Sequence, residues 1–391
     1  MIPYGKHHVT WADALKVLWQ IRFRSLTQGP QIENFEAEVA RTVGAKYAVA
    51  VSSATAGLHL AALALKLPKG SKVITSPISF VASSNSLIYA GYSPEFLDID
   101  PSTLNLDLEL IKSRVEQKND IKAILPVHFA GLPCDMERIS EIALQYDLRV
   151  IEDAAHALGA EYKNGAKVGS CAYSDMTVLS FHPVKSITTG EGGMVTTNDY
   201  DLYKSLLRLR SHGINKLDDE FQDPLLSRTS GTTNPWYYEM IELGYNYRMT
   251  EIQAVLGISQ LKRLEKFMAK RFRIVSTYSG MFQTTGSVRL AQNCDLKKSA
   301  NHILPVRIDF ANLKISRATL MNSLRSVGVG SQVHYIPIPM QPYYKSLGYD
   351  ISNIPEAVSY YEECLSLPLF PNLSKSEQKK VVKELAKLLS K

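Results

Sequence analysis

Cysteine is scarce and scattered. The chain has 4 cysteines in 391 residues, and Cys134, Cys171, Cys294 and Cys364 form no Cys-x-x-Cys pair. That excludes the usual spacing of a zinc site and a disulfide framework, and it fits a reducing cytoplasm. No metal site is expected. No apolar run approaches the length of a membrane span, so no membrane is expected either. The opening residues, Met1-Ile-Pro-Tyr-Gly-Lys-His-His8, lack the apolar stretch of a secretory signal, which also predicts a cytoplasmic protein. No stripe of interleaved basic and aromatic residues points to nucleic acid. The formal charge of +6 is dispersed, which suits a solvated surface and helps to attract a small anion. Repeats and low-complexity segments are absent. What remains is ordinary globular composition, 45% hydrophobic and 21% charged, with enough chain for two or three lobes.

Hydrophobic periodicity supplies the fold class. Helices are predicted over Trp11–Phe23 and from about Ile32 to Val43, separated by a Gly29-Pro30 turn. From Tyr47 the pattern alternates. Strands are predicted at Tyr47–Val51, Lys72–Thr75, Pro94–Asp98, Ile121–Val127, Leu148–Glu152, 176–182 and 193–197. Helices are predicted among them at Thr55–Leu65, Ser83–Ala90, Leu108–Val115 and Met136–Tyr146. Such alternation implies an α/β protein with a mostly parallel sheet covered on both faces. Ligands of such sheets lie at the carboxyl ends of the strands. Residues 215–245, which include Asp218-Asp-Glu220, are polar and irregular, and a loop of that length is commonly functional or mobile. Thr250–Phe282 reads as one long helix. Residues 283–391 read as a smaller α+β lobe with strands His302–Ile308 and Gly330–Tyr335.

One stretch organises the chemistry. Thr177 to Ser180 is an apolar run that leaves its strand through Pro183, and Lys185 lies just beyond the strand end. The turn Gly190-Glu-Gly-Gly193 then leads into Met194-Val-Thr196. A lysine placed by proline and glycine between two strands has the fixed, dry position that a Schiff-base amine needs. An arbitrary loop lysine lies in solvent, so the neighbours decide. Asp153 ends the run Val150-Ile-Glu-Asp153. It reads equally as a helix N-cap or as the partner of a protonated pyridine nitrogen. His156 lies three residues on and could reach a ring hydroxyl or face, although a packed histidine is the commoner case. Ser52-Ser-Ala-Thr-Ala-Gly57 joins a strand to a helix. There Ala54, Thr55 and the Ala56 amide suit a phosphate, or Ser and Thr simply cap the helix. Ser180 could add a hydroxyl to that phosphate. Phe80 could stack on a flat ring or belong to the core. Asn246 and Arg248, in Gly244-Tyr-Asn-Tyr-Arg-Met249, are a plausible anion contact or plain surface. Each bland reading is reasonable alone. Together the residues make the parts list of one cofactor, pyridoxal 5′-phosphate.

The motifs also carry a resemblance. Leu26-Thr-Gln-Gly29, Ser53-Ala-Thr-Ala56, Glu152-Asp-Ala-Ala-His-Ala-Leu-Gly159 and Ser180-Phe-His-Pro-Val-Lys185 recur in one family. So do Thr189-Gly-Glu-Gly-Gly193, Gly244-Tyr-Asn-Tyr-Arg-Met-Thr-Glu251 and Val333-His-Tyr335. Nearly end to end, the chain resembles the sugar aminotransferases of the DegT/DnrJ/EryC1/StrS family. The resemblance implies the fold-type I, aspartate aminotransferase-like architecture, with an N-terminal arm and large domain over 1–249 and a small domain over 250–391. It implies that Lys185 bonds the cofactor, that Asp153 partners the pyridine nitrogen, and that Thr55, Ala56 and Ser180 hold the phosphate. His156 stands where many members have Gln. Asn246 would reach the phosphate of a second subunit, which implies a homodimer with shared sites. Tyr4, Leu26, Thr27, Gln28, Gly29, His334 and Tyr335 fall where relatives meet the nucleotide-sugar. Met1-Ile-Pro-Tyr4, Arg210-Ser-His-Gly213 and Val333-His-Tyr-Ile-Pro-Ile338 narrow the resemblance to the pseudaminic acid branch. There glutamate aminates C4 of a UDP-4-keto-6-deoxy-N-acetylhexosamine. A transaminase for a different keto-sugar nucleotide is the nearest alternative. A non-catalytic, cofactor-binding regulator is the alternative from another class. Related dehydratases replace the active-site lysine with histidine, and Lys185 is present.

Overall fold

A computed structural model describes residues 1–216, 221–283 and 287–390. Asp218 to Glu220, the acidic part of the predicted irregular loop, lie outside the described residues. The centre is a 7-stranded sheet. Its strands are β1 (Tyr47–Val51), β2 (Lys72–Thr75), β3 (Ser93–Phe96), β4 (Ile121–Leu125), β5 (Arg149–Asp153), β6 (Met176–Ser180) and β7 (Gly193–Thr197). The order is β1-β7-β6-β5-β4-β2-β3. β2, β3, β4, β5 and β6 pair in parallel, whereas β7 runs antiparallel to both β1 and β6. β6 and β7 are buried along their whole length, because helices cover both faces.

Each face has its own core. On one, Phe35 and Val39 of α2 (Pro30–Val43) meet Ile139 of the helix Met136–Gln145 and Ala254 of the helix Glu251–Leu261. On the other, Leu58 and Leu60 of α3 (Ala54–Ala64) meet Leu87 of α4 (Ala82–Tyr89) and Leu206 of the helix Tyr200–Arg210. Gly57 is what brings α3 close. A Cβ there would lie 3.0 Å from Val178 and 3.2 Å from Val195, on two strands of the sheet. The burial of these side chains is the main stabilising term, at roughly 1.5–3 kcal/mol for each large aliphatic or aromatic side chain.

The register gathers three chain segments at one edge. Gly193, the first residue of β7, faces Val51 on one side and Ser180 on the other. Asp153 ends the next strand along, β5. A further three-stranded antiparallel sheet joins Arg289–Leu290, Leu304–Arg307 and Cys364–Leu367. The N-terminus reaches this part of the molecule: Ile2 bridges Val329, and the Leu369 amide donates to the Tyr4 carbonyl at 2.9 Å.

Several elements differ from expectation. The predicted long helix is two, Glu251–Leu261 and Leu264–Phe282. The break falls at Arg263, which leaves helical geometry and pairs with the buried Asp13 of α1 (Trp11–Phe23). No proline marks it, so periodicity alone could not reveal it. Gly330–Tyr335 is not a strand. Only Gln332 bridges the sheet, at Ser366, and the rest is irregular chain held by side chains. The described part of the 215–245 loop contains two short strand pairs, Arg228–Thr229 with Thr232–Thr233 and Ile214–Asn215 with Glu239–Met240.

Candidate active site

The turn after β6 sets the floor of a cleft of about 630 Å³. The Phe181 amide donates to the Gly192 carbonyl at 2.9 Å, and the Thr189 amide donates to the Phe181 carbonyl at 3.0 Å. Gly190 takes φ +84°, the left-handed conformation that favours glycine. The loop is thereby closed on itself, and the Lys185 amide donates to the His182 carbonyl at 2.9 Å. Lys185 is half-buried and lines the cleft. Burial lowers its amine to about 8, helped by the Arg271 charge and opposed by Asp153. The amine therefore spends more time neutral near physiological pH than an exposed lysine does.

Glu152 and Asp153 are adjacent acids with different fates, because successive strand residues point to opposite faces. Asp153 lines the cleft; its Oδ2 accepts from Ser83 Oγ at 2.6 Å and its Oδ1 from the Ala155 amide at 3.1 Å. No helix follows it, so the N-cap reading does not hold. Glu152 points away and is fully buried. It accepts from His128 Nε2 at 2.8 Å, Tyr162 Oη at 2.6 Å, Ser174 Oγ at 2.5 Å and Thr177 Oγ1 at 2.9 Å. Burial pushes this carboxyl up, but hydrogen bonds from His128, Ser174 and Tyr162 bring it below its ordinary value. The Cys134 amide donates to His128 Nδ1 at 3.1 Å, which leaves Nε2 to donate its proton to Glu152. In the sequence Glu152 carries no signal of its own, because it reads as part of the same strand end as Asp153.

At the β1–α3 turn, Ser53, Ala54 and Thr55 line the cleft. Ser53 caps α3, its Oγ accepting the Ala56 amide at 3.1 Å. Ala56 itself is buried and does not line the cleft, and the amide expected to meet an anion is held by this cap. Ser53 is therefore a site residue, although in the sequence it stands out only as part of the Ser53-Ala-Thr-Ala56 motif. The Gly193 approach explains the glycine-rich turn. A Cβ there would stand 2.7 Å from the Ala54 nitrogen and from the Ser53 carbonyl carbon. Ser180, at the end of β6, also lines the cleft.

Aromatic and imidazole groups form the walls. Phe80 is 60% exposed, so it belongs to the cleft and not to the core. Its ring lies 6.4 Å from that of Tyr335. The Tyr335 hydroxyl is 3.2 Å from His156 Nε2, and the two rings stack at 22°. His156 is buried and its Nδ1 has no hydrogen-bond partner. Burial, then the charges of Lys185 and His334, hold it well below the ordinary imidazole range. His334 is lowered to about 4 by burial and Lys185, and its Nδ1 is 2.8 Å from Ser366 Oγ. Tyr4 packs on His334 at 5.6 Å between ring centres. His302 also lines the cleft, with its ring 4.5 Å from that of His156. It escaped sequence reasoning because it opens a predicted strand and carries no motif. Ser83 escaped it too, lying in a predicted helix with no distinguishing spacing.

The remaining predicted residues lie elsewhere within one chain. Leu26, Thr27 and Asn246 are exposed and do not line the Lys185 cleft. Asn246 bridges Ser211 through its backbone. Gln28, Gly29 and Arg248 line a separate hollow of about 430 Å³, with Arg210 and Glu36.

The model of the DegT/DnrJ/EryC1/StrS aminotransferase family matches residues 12–386. The chain is 36% identical over 392 residues to the UDP-4-amino-4,6-dideoxy-N-acetyl-beta-L-altrosamine transaminase of Campylobacter jejuni subsp. jejuni serotype O:23/36 (strain 81-176), covering 100% of this chain and 98% of that one. Among solved structures it is similar to Helicobacter pylori PseC, an aminotransferase involved in the biosynthesis of pseudoaminic acid. The TM-score is 0.89 at 30% identity, over 100% of this chain and 99% of that one. It is also similar to the PLP-form of Spr1654, a putative sugar aminotransferase from Streptococcus pneumoniae. There the TM-score is 0.88 at 28% identity, over 100% of this chain and 98% of that one.

Proposed function

Because the chain belongs to the DegT/DnrJ/EryC1/StrS aminotransferase family and is a pyridoxal-phosphate-dependent sugar aminotransferase, we propose that it moves the amino group of L-glutamate to C4 of a UDP-4-keto-6-deoxy-N-acetylhexosamine. The product is a UDP-4-amino-4,6-dideoxy sugar of the kind used for pseudaminic acid. The carrying observation is that one cleft holds an amine lowered to about 8, a strand-end carboxylate and a helix N-terminus. These match the aldehyde, ring nitrogen and phosphate of the cofactor, and Phe80 offers an exposed ring face beside them.

When bound, the cofactor supplies the carbonyl that captures the donor nitrogen and the ring that accepts electrons from the substrate carbon. The chain supplies the rest. Lys185 would take a proton from the donor carbon and return one in the other half of the cycle. Asp153, fixed by Ser83 and Ala155, would face the ring nitrogen and hold it protonated. Ser53, Ala54, Thr55 and Ser180 surround the phosphate end. Tyr4, His334 and Tyr335 face the sugar, and neutral imidazoles in the wall avoid repelling the lysine.

We infer a homodimer. The outer face of α1 exposes Trp11, Leu15, Leu18 and Trp19, an apolar surface that suits a second copy. Asn246, Arg248 and Leu26 to Gly29 then serve the partner's cleft, which fits their position outside their own. The 4 unpaired cysteines suit a reducing cytoplasm. The experiment is a panel of UDP- and dTDP-4-keto-6-deoxy sugars offered with glutamate, with products resolved by NMR. Amination of the UDP-N-acetylhexosamine at C4 is expected. Preference for another keto-sugar nucleotide would move the substrate, and cofactor binding without 2-oxoglutarate would point to a regulator.

A further inference from the structure

Arg271 is among the largest fully buried side chains in the molecule, at 1% exposure. It lies on the helix Leu264–Phe282 and does not line the Lys185 cleft. A buried guanidinium normally meets a carboxylate, because its desolvation otherwise costs several kcal/mol, on the order of a large share of a domain's stability. Here no carboxylate among the described residues pairs with it. Its Nη1 donates to the Asn301 carbonyl at 3.3 Å and to the His302 carbonyl at 2.9 Å, and its Nε has no partner.

The segment it grips is constrained. Asn301 takes φ +47°, uncommon for a residue other than glycine. Its side chain donates to the Leu296 carbonyl at 2.8 Å and the Ser299 carbonyl at 2.9 Å. The next residue, His302, presses its ring on His156 and lines the cleft. Nδ1 of His302, Nδ1 of His156 and Nε of Arg271 are all buried without a partner. A fold selected only for stability has no use for an unneutralised cation behind two imidazoles that each leave a buried Nδ1 unpaired. A site that must keep an amine reactive has one.

We propose that Arg271 is a positioning residue for the chemistry at Lys185: its Nη1 clamps the Asn301–His302 backbone so that His302 stays against His156, and it sets an uncompensated positive charge behind this wall of the cleft. The proposal rests on Lys185 being the reacting amine but not on the identity of sugar or donor. The groups that face Lys185 are Asp153 and His156 after β5, His182 and Glu191 on its own loop, and Tyr4 from the N-terminus. His302, His334 and Tyr335 complete the set, with Arg271 behind His302. Of these, Asp153 opposes Arg271, while burial and Arg271 act in the same direction.

The test uses the cofactor-free full chain. Cyanate carbamylates neutral amines, so the pH dependence of its reaction at Lys185, followed by mass spectrometry of the peptide, reads the amine's titration. The native midpoint is expected near pH 8. Arg271→Gln keeps a polar amide but loses the charge, and its midpoint is expected about one pH unit higher. Arg271→Lys keeps the charge but loses the rigid, planar guanidinium whose Nη1 meets both carbonyls. Its midpoint should match the native one, while its rate of capturing added pyridoxal phosphate falls about tenfold through misplaced His302. Melting temperatures taken alongside show whether each variant is folded. A folded Arg271→Gln with the native midpoint overturns the charge role. If that variant does not fold, Arg271→Lys decides: native capture kinetics overturn the proposal, and slowed capture with a native midpoint supports it.

Discussion

Ser83 Oγ donates a 2.6 Å hydrogen bond to Asp153 Oδ2, and both residues are buried. The bond ties α4 to the end of β5 and fixes the carboxylate toward the cleft. Hydrogen bonds to charged groups are worth about 1.5–3 kcal/mol. Ser83→Ala should therefore weaken cofactor binding by roughly 10-fold or more. Titration of the cofactor-free protein with pyridoxal phosphate, followed by visible absorbance, checks this. Unchanged affinity would mean that Asp153 is held by the Ala155 amide alone.

Gly193 leaves no room for a side chain, with the Ser53–Ala54 backbone 2.7 Å from its would-be Cβ. Gly193→Ala must push β7 away from the turn that caps α3. A loss of about 1–3 kcal/mol is expected, the typical cost of overpacking. Denaturant unfolding measures it. Phosphate affinity should fall with it, which a competition of inorganic phosphate against the cofactor reads separately.

The Lys185 amine is lowered from 10.5 to about 8 in the folded chain. Between those values the unfolded chain holds the proton and the folded chain does not, so stability rises with pH across that window. Below it both states are protonated, and the cost of the buried cation is fully present. Lys185→Met removes that cost. The cofactor-free variant should exceed the native protein by about 1–3 kcal/mol at pH 7, with the gap closing toward pH 10.5. Urea unfolding at both pH values tests this; a gap that does not depend on pH contradicts it.

Much of this was legible in the sequence. The alternation of apolar runs gave the parallel sheet, since buried strands need no polar face. Lys185, Asp153 and Thr55 were legible because strand-to-loop junctions in such sheets face the ligand. The antiparallel β7 was not, because a five-residue apolar strand reads the same in either direction. Ser83 and His302 were hidden because their importance comes from residues 70 and 146 positions away in the chain (Asp153 and His156 respectively). The break at Arg263 was hidden for the same reason, since the Asp13 that pairs with Arg263 lies on a distant helix.

The Tyr335 hydroxyl stands 3.2 Å from His156 Nε2 and joins the C-terminal part of the chain to the loop after β5. Tyr335→Phe keeps the ring but leaves His156 with no partner on either nitrogen. A stability loss of about 1 kcal/mol and a several-fold fall in kcat/KM are expected. His156 stays neutral in both forms, so the pH profile should gain no inflection near 6.5. A new inflection there would show that the hydroxyl, and not burial, keeps the imidazole uncharged.

The most direct measurement concerns Lys185 itself. The native protein, given pyridoxal phosphate, L-glutamate and the UDP-4-keto-6-deoxy-N-acetylhexosamine, should form amino sugar and 2-oxoglutarate in equal amounts. Lys185→Ala, folded and offered the same mixture, should form neither and should lack the visible absorbance of the lysine–cofactor bond. Amino sugar made at the native rate by that variant would contradict the assignment of the reacting amine.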